Sequence, residues 1–444
     1  MRWIRVLNGV WGIVLVLCAP LRAATPAAAQ AHVVEGETCY RKADFDGAAS
    51  QFTSALQSGA YVARAYLGLA KLDQLQFRRR AARALLERAY SLDPEDPEIL
   101  RIYAALARTP AEEIALLKRY LEHGAQESRK ELEMAAARIQ VLSRLHGRET
   151  AVLSSPYAPY RLKLIPWVPT VGPAAGMLLR VRIDGGKPLL LALDTGASGI
   201  YVSRRAVEKL HLELLADAAV TGLGEARQDS RLALAETVEM GDLRFRNCLV
   251  YVTRQPLVDG ADGVIGASFF ERFLLRLDAR RQTLDLSPYA VAPPEAVRGE
   301  GAWKESDRTA PAETSGDLPF YRVEHLVMVR TLVNRRLPGY FVLDTGAAHT
   351  AVDRSIALAE RPTDSPRMLA LAAPGGEVRG AAAIGPLSFQ FGGREFTEPE
   401  VATFDFGPAS NSYGVRISGL LGYPLLRRSV VRINYRDGLL AVEQ

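Results

Sequence analysis

Two short acidic motifs have the residue types and spacing to do chemistry. Asp194-Thr195-Gly196-Ala197 and Asp344-Thr345-Gly346-Ala347 are copies of one tetrapeptide, 150 residues apart. Two carboxylates held within hydrogen-bond reach resist simultaneous ionisation, so such a pair shares one proton over a wide pH range. The ionised member can take a proton from water while the protonated member polarises a carbonyl, a route that needs neither a covalent intermediate nor a metal. Other chemistry finds little support. The histidines (His32, His123, His146, His211, His325 and His349) are scattered, with no His-Glu-x-x-His and no pair four residues apart, so no zinc ligand set is expected. There is no Gly-x-x-x-x-Gly-Lys-Ser/Thr phosphate loop, and Gly222-Leu223-Gly224 lacks the third glycine of a dinucleotide fingerprint. The expectation is a chain without cofactor or metal.

The elements that must position these acids repeat as well. In Met177 to Ser203, Leu179, Val181 and Ile183 alternate with Arg180 and Arg182, Gly185-Gly186 supplies a turn, and Leu189 to Leu193 runs as an apolar strand into Asp194. Leu332 to Asp353 repeats the design around Asp344. Downstream, Gly263-Val264-Ile265-Gly266 is echoed by Gly419-Leu420-Leu421-Gly422. With those segments superposed, Arg272, Arg276 and Arg280 coincide with Arg428, Arg432 and Arg436. The chain contains an internal duplication.

On these motifs the sequence from about Met177 to Gln444 resembles the retropepsin-like and pepsin-like aspartic peptidases. The resemblance implies two retropepsin-like β-barrel lobes in one chain, forming a pseudo-twofold pair. It implies Asp194 and Asp344 as the catalytic pair. Thr195 and Thr345 would brace the pair across the lobes, Gly196 and Gly346 would permit close backbone approach, and Ser198 would add support. Gly266 and Gly422 would sit where a late strand passes each acidic loop. Such enzymes close a mobile hairpin over substrate; the flap candidates are Gly222 and Gly224 in the first copy and Gly375 and Gly376 in the second, with plain surface hairpins as the alternative. The second loop carries Ala348 where the first has Ser198, followed by His349, read as a solvated loop histidine or a pH-sensitive neighbour.

The implied activity is that of an aspartic endopeptidase acting on a peptide or protein substrate. The rival is a catalytically inactive binding protein using the same cleft. Against it, a pure binding module has no physical need for paired acids that repel each other. Pairing of each lobe with its equivalent in another chain also stays open.

Upstream, Gly36 to about Leu145 is rich in Ala, Leu, Arg and Glu with apolar positions recurring at three and four, the helical period. Ala48-x3-Phe52-x2-Ala55 recurs as Ala82-x3-Leu86-x2-Ala89 after 34 residues, with Pro94 beyond. This resembles the tetratricopeptide repeat, and a degraded third unit is expected from Leu100 to Leu121. The TPR-like array implies a protein partner or peptide on its concave face; a generic helical array without a binding role is the alternative.

Arg2 and Arg5, the apolar stretch Val10 to Leu21 and the small residues up to Ala31 read as a secretory signal. The apolar part is short of the ~20 residues that span a bilayer, so a secreted or periplasmic protein without a stable membrane span is expected. The 444 residues carry 55 Lys+Arg against 50 Asp+Glu, a net charge of only +5, with the signs interspersed, which argues against nucleic-acid binding. The expected fold class is multidomain, α plus all-β. The expected domains are a signal peptide 1–31, a TPR-like helical domain 32–147, a Pro-rich linker 148–174 (Pro156, Pro159, Pro166, Pro169, Pro173), lobe one 175–288, a linker 289–317 and lobe two 318–444.

Overall fold

The computed structural model describes residues 26–58, 62–168, 175–220, 228–290, 317–360, 367–373 and 376–443. Within them, an N-terminal helical region is followed by a β-rich part. The helices are α1 (Pro26–Arg41), α2 (Phe45–Gln57), α3 (Val62–Leu75), α4 (Arg79–Leu92), α5 (Pro97–Ala104), α6 (Pro110–His123) and α7 (Arg129–Leu145), each packed on the next. Side-chain oxygens start several of them: Asp44 accepts from Gly47 N–H, Asp96 from Glu98 and Ile99, Thr109 from Glu112, and Ser128 from Glu131. Proline at the first position of α5 and α6 fits a turn whose N–H has no helical partner anyway. The periodic residues read from sequence are the ones that pack. Ala48, Phe52 and Ala55 of α2, and Ala82, Leu86 and Ala89 of α4, are all buried, as are Leu116 and Tyr120 of α6.

Most of the expected leader lies outside the described residues. Its last residues belong to α1, where Ala29 is buried, so cleavage after Ala31 would cut within that helix. No described helix is long and apolar enough to cross a membrane.

The first β unit closes on itself. Strands Gly176–Ile183, Leu189–Asp194, Gly263–Gly266, Ile200–Ser203, Leu243–Thr253 and Gln228–Met240 pair in that order, and the last pairs back to the first with Arg182 opposite Glu239. The barrel interior holds Val181, Ile183, Leu191, Ile200, Val202, Val250 and Ile265, all buried. The second unit orders Ala351–Asp353, Gly419–Gly422, Leu337–Asp344 and Leu326–Val333 at its centre.

A sheet joins the units: Phe273–Asp278 runs antiparallel to Val430–Asn434 with Arg276 directly opposite Arg432. Like charges face each other here, and Asp278, Asp285, Glu443 and Asp317 lie within 2.8–3.7 Å of the two guanidinium groups.

The segment 148–174, expected as a linker, departs from that reading. It contributes Val152–Leu153 and Tyr160–Trp167, the latter pairing with both Thr283–Pro288 and Gly176–Ile183. Leu162 and Leu164 are buried on one face, in the main apolar cluster, and Trp167 is buried on the other, in a separate cluster with Ala175, Leu178 and Val264. Pro156 and Pro159 precede the strand and Pro166 falls near its end, so the prolines that read as punctuation frame a strand whose alternation they obscured. Pro169 and Pro173 lie outside the described residues, as do 291–316 of the expected second linker. Tyr289, just before them, is buried, with the Arg436 guanidinium 4.6 Å from its ring centroid.

The helical region is seated on both β units. Tyr40, Phe45, Phe52, Leu72 and Leu75 share one apolar cluster with Val323, Leu326, Val342 and Leu420 of the second unit. At the other end, Val141 and Leu145 of α7 share a cluster with Leu215, Leu232 and Leu234 of the hairpin formed by Glu213–Val220 and Gln228–Met240.

Candidate active site

Each acidic loop leaves the end of a strand that is locked from the side. Leu189–Asp194 pairs in parallel with Gly263–Gly266 so that Asp194 stands opposite Gly266, and Leu337–Asp344 pairs with Gly419–Gly422 so that Asp344 stands opposite Gly422. The late glycines allow this: a Cβ on Gly266 would lie 2.3 Å from the Ala197 carbonyl oxygen, and one on Gly422 the same distance from that of His349. Chain separation is lost and backbone proximity gained only if both positions lack a side chain.

The two loops meet in one chain. Thr195 Oγ1 donates to the Leu343 carbonyl at 2.6 Å and accepts from the Thr345 N–H at 2.9 Å. Reciprocally, Thr345 Oγ1 donates to the Leu193 carbonyl at 2.9 Å and accepts from the Thr195 N–H at 3.1 Å. Both threonines are buried, so each hydroxyl satisfies two backbone groups of the facing loop that water cannot reach. Gly196 and Gly346 let the acids approach: a Cβ on Gly346 would sit 2.6 Å from Asp194 Cγ, and one on Gly196 would sit 3.1 Å from Asp344 Cγ.

The two carboxyl groups lie within hydrogen-bonding reach of each other. Asp194 Oδ1 accepts the Gly196 N–H at 2.6 Å, and Asp344 Oδ1 accepts the N–H groups of Gly346 and Ala347 at 3.0 and 2.9 Å. Loss of solvent pushes both carboxyls above their ordinary range; for Asp344 the neighbouring Asp194 charge adds to that, and its shift is the larger. The pair therefore retains a proton at pH values where isolated aspartates have lost theirs.

Other expected residues fall differently. Ser198, expected to support the pair, is exposed and shares a 2.6 Å hydrogen bond with the Tyr201 hydroxyl. A hydroxyl on an exposed turn finds the nearer phenol rather than the carboxylate below it. His349 is half-buried. Gly222, Gly224 and Gly375 lie outside the described residues. The strands that lead into and out of 221–227 are paired up to Val220 and Gln228. Gly376 is the partner of Ala373 in a short two-stranded hairpin, with φ of 108°.

Residues that sequence reasoning missed surround the pair. Tyr201 stacks on Tyr251 with centroids 4.8 Å apart, and burial pushes its hydroxyl up to about 12. Burial also raises the Tyr413 hydroxyl, with the carboxyls of Glu324, Asp344 and Asp194 adding to the shift. His325 Nε2 lies 3.0 Å from the Gly196 carbonyl oxygen, and burial lowers its imidazole to about 4. Tyr201, seven residues after Asp194, follows from the strand alternation. His325 and Tyr413 come from distant sequence and carry no local signal.

Comparison with known proteins bears on the first acidic loop. No match was found among curated proteins. Among solved structures, the aspartic proteinase from Irpex lacteus is similar at 14% identity and a TM-score of 0.42, over 65% of this chain and 97% of that one. Residues 179–269 match the model of a family described as aspartyl protease, so the stretch that carries Asp194 and its locking strand is similar to an aspartyl protease domain.

Proposed function

We propose that the protein is an aspartic endopeptidase whose single site is built from Asp194 and Asp344 of one chain. The observation that carries this is the reciprocal threonine bonding that holds the two carboxyls together. In the proposed reaction the pair holds one proton and one negative charge. The ionised carboxylate takes a proton from a bound water as that water attacks the peptide carbonyl. The protonated partner donates to the carbonyl oxygen, and the tetrahedral adduct collapses with proton transfer to the leaving amine.

The duplicated sequence and the opposition of Arg276 to Arg432 support two lobes related by a pseudo-twofold axis passing between these arginines. The segment that carries Gly222 and Gly224, between the paired strands Glu213–Val220 and Gln228–Met240, and the segment of Gly375 and Gly376 are the candidates for a flap over substrate. The 34-residue period, with equivalent residues buried on α2 and α4, supports a TPR-like array that presents a peptide or protein partner to the site. The leader makes the protein secreted or periplasmic on this reading.

Purified protein incubated with a diverse peptide mixture from about pH 3 to pH 8 tests the proposal. Internal cleavage with an acidic optimum is expected. Absence of cleavage by folded protein at every pH would replace it with a peptide-binding role.

A further inference from the structure

The plane of each peptide bond around a glycine has to be fixed from outside, because glycine imposes little of its own. In the second acidic loop, the N–H groups before and after Gly346 are both fixed by Asp344 Oδ1, at 3.0 Å through Gly346 N and 2.9 Å through Ala347 N. The first loop is built otherwise. Gly196 N–H is held by Asp194 Oδ1 at 2.6 Å, but Ala197 N–H reaches only the Asp194 backbone carbonyl, at a long 3.5 Å, where Ala347 N–H has the Asp344 carboxylate as well. The shorter hold on the peptide after Gly196 is at its carbonyl oxygen, 3.0 Å from His325 Nε2.

His325 comes from the other β unit. It occupies the two-residue turn between Tyr321–Val323 and Leu326–Val333, where Val323 faces Leu326 and Glu324 takes the left-handed conformation, φ 53°. That turn is itself gripped: Val323 and Leu326 are buried in the cluster shared with α2 and α3, and Phe45 of α2 packs 4.5 Å from the Tyr321 ring. The imidazole meets the edge of Tyr413 at 6.0 Å. A carbonyl accepts only from a protonated nitrogen, so the contact requires the tautomer with hydrogen on Nε2.

Resting on the peptidase reading above, we propose that His325 is a positioning residue. Its Nε2–H, donated across the interface to the Gly196 carbonyl, fixes the peptide plane after the glycine of the first loop and so holds Asp194 in register with Asp344. It also gives the helical region a route to the site, from Phe45 through the Tyr321–Leu326 hairpin to the loop that carries Asp194.

The test compares His325→Gln, whose amide nitrogen can occupy the place of Nε2, with His325→Leu, in the full chain and on one peptide that the wild type cleaves. His325→Leu is expected to lower kcat about tenfold to a hundredfold, the scale of a misplaced reacting group, with KM within about twofold. His325→Gln should recover kcat to within about threefold of wild type. Unchanged kcat in His325→Leu, a change confined to KM, or equal impairment in both variants overturns the assignment.

A second readout needs no activity. In the ring-nitrogen NMR spectrum of the wild type near pH 6, the signals lost in His325→Gln identify His325. They should report hydrogen on Nε2, and hydrogen on Nδ1 alone would overturn the proposal. This arm decides the matter if His325→Leu does not fold. It also separates the two claims: a wild type that cleaves nothing defeats the peptidase reading and leaves the NMR result to judge His325.

Discussion

At the scale of single residues, the site is held by groups whose only alternatives are worse. Thr195 Oγ1 satisfies both the Leu343 carbonyl and the Thr345 N–H in a place closed to water. Thr195→Val removes both bonds while keeping the shape. It should lower unfolding stability by about 1–3 kcal/mol in denaturant titration, whereas Thr195→Ser should lose much less. The acids act in the opposite sense. Burial and mutual repulsion raise the Asp344 pKa in the folded protein above its unfolded value, so the folded state binds more protons and is penalised as pH rises past the ordinary aspartate range. Asp344→Asn should therefore melt at a higher temperature than wild type at pH 7, and the difference should shrink to nothing as the pH falls toward 3; a gap independent of pH would count against this electrostatic picture. The two aspartates and their threonines were legible because they recur in one frame. Ser198 was misplaced because sequence spacing does not distinguish a bond to a carboxylate from one to a neighbouring phenol. His325 was invisible because its contact with Gly196 spans 129 residues and two β units.

At the scale of elements, the late strands decide whether each acidic loop can close. Gly266→Ala would press a methyl against the Ala197 carbonyl, where the neighbour is backbone rather than a pliable side chain. Thermal melts should show a loss of at least about 1–3 kcal/mol, the usual scale of overpacking, with activity falling further because the loop that carries Asp194 must move. The seam between α7 and the hairpin Glu213–Val220 and Gln228–Met240 gives a contrast between apolar and ionic contacts. Leu145 is buried there, so Leu145→Ala should lose about 2–5 kcal/mol. Arg148 meets Glu213 at 2.8 Å in an exposed pair, and Glu213→Gln should change stability by under about 1 kcal/mol. The strand pattern around each Asp-Thr-Gly was readable from alternation and from the paired glycines. The strand Tyr160–Trp167 was not, because its flanking prolines looked like a boundary while its partners, Thr283–Pro288 and Gly176–Ile183, lie elsewhere in the chain.

At the scale of the molecule, the helical region and the β units form one body. Periodicity made the helices legible, down to the alanines that pack between them, but it could not say where the outer faces of α2, α3 and α7 would rest. They rest on both β units. Removing residues 26–147 should therefore expose apolar surface at two places and leave a β part that aggregates or melts well below the full chain, as light scattering and calorimetry would show; an equally stable fragment would make the helices an independent module. The central claim is that one chain supplies both acids of one site, and complementation tests it most directly. Asp194→Asn and Asp344→Asn are each assayed for peptide cleavage alone and then after mixing, with refolding together. The account predicts that each loses activity by at least about 10²–10⁴-fold and that the mixture stays as inactive as its parts. Recovery of cleavage in the mixture, or substantial activity in either single variant, would contradict it.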